Sequence, residues 1–208
     1  MKKKLIVTTL LGASLILGNW VSWLWQNWKN IVKEKKKEFT EAFAMQKEDT
    51  DKTNYDHMLN IKINETTPEK LRIYINYYVN QLREKKWLKP LKLDNKTNKV
   101  AQDYSKYLYD NHKDDEITYE DHFDKEGNWV LERVRWAGIM LDKECYGDCK
   151  KVWENLATSN MTIKTLVDMW MNSLSHRDNI LGGSFNYIWI WHYIWSNNVV
   201  AVFVNLWK

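Results

Sequence analysis

The chain has 208 residues, 44% of them hydrophobic, which is enough for one domain of ordinary size with extensions. Its net charge is +4, but residues 1–67 carry 11 Lys and 8 acidic residues, leaving 20 basic and 19 acidic residues in the remainder. A nearly neutral folded part lacks the concentrated basic face that nucleic-acid binding requires, so we expect no nucleic-acid partner.

The N-terminal segment has the pattern of an export signal. Three Lys at positions 2–4 precede the apolar run Leu5–Gly18. The apolar character continues with little break to Trp25, and about 20 such residues are enough to span a bilayer as an uncleaved anchor. The sequence therefore predicts a signal peptide or membrane anchor over residues 1–25, and a secreted or membrane-tethered protein that contacts the membrane only through this segment.

Residues 26–66 are predicted to be a polar tether, and residues 67–208 a folded domain. The tether is rich in Lys, Asn, Asp and Thr and includes the charged run Lys33–Glu38, so it can bury little apolar surface. Its charges fit simple solvation, or contact with anionic wall polymers or lipid headgroups.

The domain begins with an amphipathic segment that predicts a helix. Thr66 and Glu69 have the spacing of a capping box, and Pro68 suits a first helical turn. Apolar residues recur at helical spacing up to Lys86, where the helix is expected to end. Its inward face would consist of Leu71, Ile75, Tyr78, Val79 and Leu82.

Two further helices and a cysteine pair follow. The pattern predicts helices over Asn95–Asp110 and Trp129–Trp136, and Arg133 in the latter is expected to bond to neighbouring backbone. Cys145 and Cys149 are the two cysteines of the chain, and in an exported protein such a pair favours a disulfide. Free thiols and a metal site are the alternatives, the latter disfavoured because two ligands without a nearby His are a poor zinc set.

The second half of the domain supplies the predicted strands. Val152–Ala157 is predicted to be a short strand that carries Glu154 and Asn155. The β-branched and aromatic runs Phe185–Ile194 and Val199–Leu206 flank a short turn, which is typical of a hairpin. Helices followed by a terminal hairpin indicate an α+β fold.

A strongly amphipathic helix is expected between these strands, over Thr162–Ser173. Its apolar residues recur at spacings of three and four, namely Ile163, Leu166, Val167, Trp170 and Leu174. His176, Arg177 and Asn179 would then lie on the loop that leaves the helix. Polar residues on loops held by a rigid scaffold often carry function.

The segment Met169–Leu181 resembles the W-x-x-S-x-x-H-R-x-N-I-L signature of bacterial CAP-superfamily domains, the SCP-like extracellular family. The matching residues are Trp170, Ser173, His176, Arg177, Asn179, Ile180 and Leu181. Other segments follow in the family's order, namely Trp87–Asp94, Asp121–Ile139, Val152–Ala157 and the terminal strands. The resemblance covers Pro68 to Lys208 and implies a three-layer α-β-α sandwich.

The resemblance also implies a central cavity lined by His and Glu residues, which binds zinc or another divalent cation in some family members. His122, Glu154 and His176 match the cavity residues and form the candidate metal set. Ser173 stands where eukaryotic members have a second Glu, and the last strand offers no His, so a four-residue site is not expected. Trp170, Arg177, Asn179 and Asn155 are expected to be structural.

The function implied is a binding module at the cell surface, whose ligand would be a wall polymer, a lipid or a small molecule. A hydrolase that uses the same three residues with bound water is the alternative, in which Glu154 acts as base and Ser173 as its hydrogen-bond partner. A structural envelope protein is a third interpretation. In that case His176 would cap a helix C-terminus, Glu154 would accept backbone N–H groups and His122 would order its acidic loop.

Tryptophan is unusually frequent and takes the place of glycine. The chain has 13 Trp and 7 Gly, and the family has Gly where this chain has Trp87, Trp153, Trp189, Trp191 and Trp207. We therefore hypothesise that most Trp residues, but not Trp170, stand for UGA codons that the source organism reads as glycine. The alternative is a genuine Trp-rich surface for sugars or membranes.

Overall fold

The computed structural model describes residues 20, 22–30, 33, 55–94, 98–112, 117–141, 152–158, 160–193 and 197–206. The chain divides into two compact units, residues 1–49 and 50–208. In the first unit the described residues are helical and exposed. None of the helices among the described residues combines the length and apolarity that a membrane crossing needs.

Several sequence predictions lie outside the described residues. They are most of the signal or anchor segment 1–25, most of the tether, the Cys145–Cys149 disulfide and Trp207. These stay predictions.

The second unit consists of helices and the three strands of one sheet. The helices are α1 (Tyr55–Met58), α2 (Pro68–Glu84), α3 (Lys99–His112), α4 (Val130–Trp136), α5 (Ile163–Asn172) and α6 (Leu174–Ile180). The strands are β1 (Val152–Thr158), β2 (Tyr187–His192) and β3 (Asn198–Val204), and short 3₁₀ turns cover Ile63–Glu65 and Glu120–His122.

The sheet has the order β1-β3-β2, and both pairings are antiparallel. Every residue of the central strand β3 is buried. Because side chains alternate along a strand, its residues divide between the two faces of the sheet. Val199, Ala201 and Phe203 join one apolar cluster, and Val200, Val202 and Val204 join the other.

Helices cover both faces of this sheet. On one face α2, α5 and α6 contribute Leu71, Ile75, Val79, Leu166, Trp170 and Ile180 to the first cluster. On the other face α3 and α4 contribute Val100, Ala101, Tyr104, Leu108, Val130 and Val134 to the second. The predicted α+β, three-layer α-β-α sandwich is confirmed.

Helix α2 begins one residue later than the capping box predicts. The N-cap is Thr67, whose hydroxyl accepts the backbone N–H of Lys70 at 3.3 Å. Thr66 instead has a buried hydroxyl with no hydrogen-bond partner among the described residues. The prediction of Thr66 as the cap was wrong because Pro68 occupies the first helical position, which places the cap directly before it.

The end of α2 has a Schellman arrangement. The Leu88 N–H bonds to the Arg83 carbonyl at 3.0 Å, and the Trp87 N–H bonds to the Glu84 carbonyl at 2.9 Å. This motif requires a left-handed residue, and Trp87 has φ of 57°, which is unique among the non-glycine residues that the structure describes. A bulky side chain is strained in that conformation.

Trp87→Gly should therefore stabilise the domain by about 1 kcal/mol, because glycine adopts the left-handed region without steric cost. Urea denaturation followed by circular dichroism measures the change. Trp87→Ala is the control, since it removes the indole but keeps the Cβ that causes the strain. An equal gain in both variants would contradict the backbone explanation.

Candidate functional site at the edge of the sheet

The candidate site is built around a carboxylate on β1. Glu154 shares a face of the strand with Val152 and Leu156, which pack against α3 and α4. Its side chain is 0% exposed. A charged carboxylate removed from water is costly unless it is paired and hydrogen-bonded, so its partners determine what the site can do.

Arg133 on α4 is the first of these partners. Its Nη2 lies 2.5 Å from Oε1 of Glu154, and its Nη1 donates to the backbone carbonyl of His122 at 3.0 Å and to that of Asn128 at 3.4 Å. The guanidinium carbon lies 3.4 Å from the centroid of the Tyr104 ring. The predicted bonds from Arg133 to neighbouring backbone are confirmed, whereas its ion pair with Glu154 was not predicted.

Tyr104 on α3 supports both Arg133 and the turn that carries His122. Its hydroxyl donates to the Asp121 carbonyl at 2.6 Å. Burial raises the pKa of Tyr104 above its ordinary value, so the phenol keeps its proton. The Asp121 carboxylate in turn accepts the N–H of Thr118 at 2.6 Å and its hydroxyl at 3.0 Å. These bonds fix the 3₁₀ turn.

His122 is the second partner of the carboxylate. Its Nδ1 lies 3.1 Å from Oε2 of Glu154, and the side chain is 17% exposed. We assign the proton to Nδ1, because a carboxylate oxygen can only accept. This tautomer leaves Nε2 as the ring nitrogen available to a ligand.

His176 lies on α6, and not on a loop as the sequence predicted. Helix α5 ends at Asn172, Ser173 is extended, and a second helix begins at Leu174. Leu174 is therefore 65% exposed and does not continue the apolar face of α5. The loop prediction was wrong because the chain turns at Ser173 without the Gly or Pro that would have ended helical structure there.

The environment of His176 favours its neutral form. Burial lowers the pKa of His176 below its ordinary value of 6.5, and electrostatic interaction with His122 lowers it further. The structure thus joins His122 directly to Glu154, whereas His176 is tied to the same strand through its backbone carbonyl, which accepts from Asn155.

The motif residues of α5 and α6 attach these helices to β1. Asn155, which points to the opposite face from Glu154, donates to the backbone carbonyl of His176 at 3.1 Å. Asn179 donates to Oδ1 of Asn155 at 2.8 Å, and the Trp170 indole donates to the Leu156 carbonyl at 3.1 Å. The structural role of Arg177 stays a prediction.

Arg83 fixes the end of α6. It is fully buried and donates to the carbonyls of Lys89, Ile180 and Gly182 at 2.9, 2.7 and 3.0 Å. Burial lowers the pKa of Arg83 to about 10. The three carbonyls join the end of α2 to the end of the helix that carries His176. No motif match suggested this contact.

Ser173 lies in a neighbouring groove of about 490 Å³, which is lined by Trp153, Ser173, Leu174, Ser175, Asp178 and Asn179. Its hydroxyl is 3.4 Å from that of Ser175. His122, Glu154 and His176 are not among the residues that line this groove, and the place of Ser173 in their site stays a prediction.

A resident metal ion does not fit the arrangement of the candidate ligands. In the described part of the chain, no three His, Cys, Asp or Glu side chains come together in a way that could hold one. Both oxygens of Glu154 are already engaged, one by the guanidinium of Arg133 and one by His122. The carboxylate is thus neutralised from within the protein.

Comparisons with known proteins identify the family of this three-layer sandwich. The chain belongs to the family described as CAP, the cysteine-rich secretory protein family, whose model matches residues 77–193, more than half of the chain. The family that the sequence motifs indicated is confirmed.

A curated relative is the uncharacterized protein YkwD of Bacillus subtilis strain 168. It is 29% identical over 126 residues, which amount to 59% of this chain and 44% of the relative. The present chain therefore spans less than half of the length of that protein.

Solved structures with the same fold include proteins from three bacteria. An extracellular protein with an SCP domain from Bacillus anthracis has a TM-score of 0.52 and 21% identity, over 67% of this chain and 44% of its own. A cysteine-rich secretory protein from Staphylococcus aureus has a TM-score of 0.52 and 17% sequence identity, and the match covers 66% of this chain and 39% of that protein. An outer surface protein from Borrelia burgdorferi has a TM-score of 0.53 and 23% sequence identity, and the match covers 71% of this chain and 99% of that protein.

The lowered pKa of His176 predicts a stability that depends on pH. The unfolded chain takes up a proton near pH 6.5, whereas the folded chain takes it up only at a lower pH, so the contribution of His176 is complete above the unfolded-state pKa and is lost as the pH falls through the lowered folded-state pKa. His176→Gln should flatten this part of the curve of unfolding free energy against pH. His57→Gln, which changes an exposed histidine, should keep the wild-type slope. Equal slopes in all three proteins would contradict the assignment.

Proposed function

We propose that this CAP domain is an extracytoplasmic binding module, which holds a small polar ligand, or one group of a wall polymer or lipid, between His122 and His176. The observation that carries the proposal is the chain of contacts from Arg133 through Glu154 to His122. It fixes one ring nitrogen of a partly exposed imidazole and leaves the other for a ligand.

The two imidazoles suit hydrogen bonding to a ligand. Glu154 holds His122 in one tautomer, so Nε2 accepts a hydrogen bond from a hydroxyl or amide N–H group. His176 stays neutral near pH 7 because of its burial and of the nearby His122, and a neutral imidazole offers one donor and one acceptor. Such a pair recognises a polar group without requiring a charged one.

The location outside the cytoplasm has two independent supports. The basic and apolar N-terminal sequence has the composition of a signal or anchor. Two proteins of the same fold are an extracellular protein of Bacillus anthracis and an outer surface protein of Borrelia burgdorferi. We therefore extend this location to the present chain as part of the proposal.

A hydrolase is the second candidate, favoured by one observation. A carboxylate hydrogen-bonded to an imidazole is also the arrangement that orients a general base, which would take a proton from an attacking water at Nε2 of His122. In that case Glu154→Gln would abolish turnover and retain binding. The binding proposal expects no turnover by the wild type.

Soluble peptidoglycan fragments released by a muramidase are the probe for the binding role, with isothermal titration calorimetry as the measurement. His122→Ala and His176→Ala should each weaken binding about tenfold or more, because each removes a hydrogen-bonding group from the proposed site. His57→Ala is the matched control and should bind as the wild type does. Vesicles containing phosphatidylglycerol are titrated in parallel to test a lipid ligand.

Undiminished binding in the double variant His122→Ala/His176→Ala would place the binding surface elsewhere on the domain. No binding to either probe by the wild type would favour the structural role. New reducing ends or amino groups released from the fragments by the wild type would favour the hydrolase.

We also propose that several Trp residues are glycine in the native protein. Two observations support this. Trp87 has a left-handed backbone conformation, which favours glycine, and the indole N–H of Trp189 is buried without a hydrogen-bond partner among the described residues. By contrast, the family itself has Trp at the position of Trp170, and the indole N–H of Trp170 donates to the Leu156 carbonyl. Mass spectrometry of peptides from the native host tests the idea, and Trp found at positions 87 and 189 would refute it.

A further inference from the structure

The charge balance around Glu154 differs from that of a metal site. Oε1 of Glu154 is 2.5 Å from the Arg133 guanidinium, and Oε2 is 3.1 Å from Nδ1 of His122. The two residues that form the ion pair are almost entirely buried, with side-chain exposures of 0% for Glu154 and 10% for Arg133. Solvent screening of this pair is therefore weak, and the carboxylate is neutralised in place.

Arg133 cannot leave the carboxylate by a small side-chain movement. Its Nη1 donates to two backbone carbonyls, those of His122 and Asn128, and its flat face covers the Tyr104 ring. Displacing the guanidinium would break these contacts and leave a buried positive charge without its partner, which would destabilise the fold. A metal approaching Glu154 would also meet the positive charge at short range in a medium of low dielectric.

We propose that Arg133 is an internal counter-cation, which occupies the position that a divalent metal would take beside Glu154, so that the cavity excludes metal and accepts a neutral or anionic hydrogen-bonding group. The inference deepens the proposed binding function, on which it rests for the place of the ligand. In this arrangement Glu154 is a positioning residue for His122 and not a metal ligand.

The number of remaining ligands agrees with this. Without Glu154, His122 and His176 supply two imidazoles, whereas zinc sites in proteins use at least three protein ligands. Both imidazoles can still bond to a hydroxyl, amide or carboxylate group of a ligand. Arg133 therefore determines the class of ligand without contacting it.

The test is zinc titration calorimetry on the full chain with zinc alone as the probe, in variants that change one charge at a time. Glu154→Gln should leave the zinc affinity of the wild type unchanged, because the carboxylate is not a ligand. Arg133→Met should raise the affinity at least about tenfold by freeing the carboxylate. The double variant Arg133→Met/Glu154→Gln should lose this gain.

Arg135→Met is the matched control. Arg135 lies on the same helix, but its side chain is 63% exposed and its nearest ion pair is with Glu132 at 3.9 Å. Removing this charge should leave the zinc affinity unchanged. A gain equal to that of Arg133→Met would show a general charge effect and overturn the proposal.

Two other results would also overturn it: a wild-type zinc site weakened tenfold by Glu154→Gln, or no gain in a folded Arg133→Met variant. If Arg133→Met fails to fold, imidazole ¹⁵N signals of the wild type during zinc addition decide the question. Unchanged His122 and His176 signals support metal exclusion, and shifts that saturate at one equivalent contradict it. Because fragment binding is measured separately on the same wild-type protein, metal binding would refute the counter-cation and leave the binding function intact.

Discussion

The need to neutralise one buried carboxylate organises this end of the molecule. Glu154 is placed by β1 in the layer between the sheet and α4, where an isolated charge would destabilise the fold. Arg133 and His122 each satisfy one of its oxygens, and Tyr104 supports Arg133 from behind. The same contacts that make the charge tolerable also fix the orientation of the His122 ring, so the proposed recognition would depend on the network that stabilises the buried charge.

Neighbouring residues of β1 connect this network to the opposite layer. Glu154 faces α4, whereas Asn155 faces α6 and bonds to the backbone of His176. In the described sheet β1 pairs with β3 alone and forms one edge of the sheet. The proposed site would draw one histidine from each helical layer, while β3 lies between them and is buried throughout.

Much of the fold follows from periodicity, because strong amphipathic patterns report which face of an element is buried. The features that the sequence did not predict correctly depend on local geometry or on contacts between residues far apart in the chain. The helix break at Ser173 involves neither Gly nor Pro, so no composition signal marks it. The pairing of Arg133 with Glu154 joins residues 21 positions apart, on a helix and a strand, and spacing alone cannot identify such a contact. The motif did identify His122, Glu154 and His176 as candidates, but not which of them pair.

The order of the strands has a consequence for how the chain folds. The central strand β3 is the last of the described elements in the sequence, and both β1 and β2 hydrogen-bond to it and not to each other. The sheet therefore cannot assemble during synthesis until residues 198–204 have left the ribosome, and its pairing of β1 with β3 is a slow, long-range step. Such a delay suits the export that the N-terminal sequence predicts, since a polypeptide that crosses a membrane before folding must remain unfolded until it has crossed.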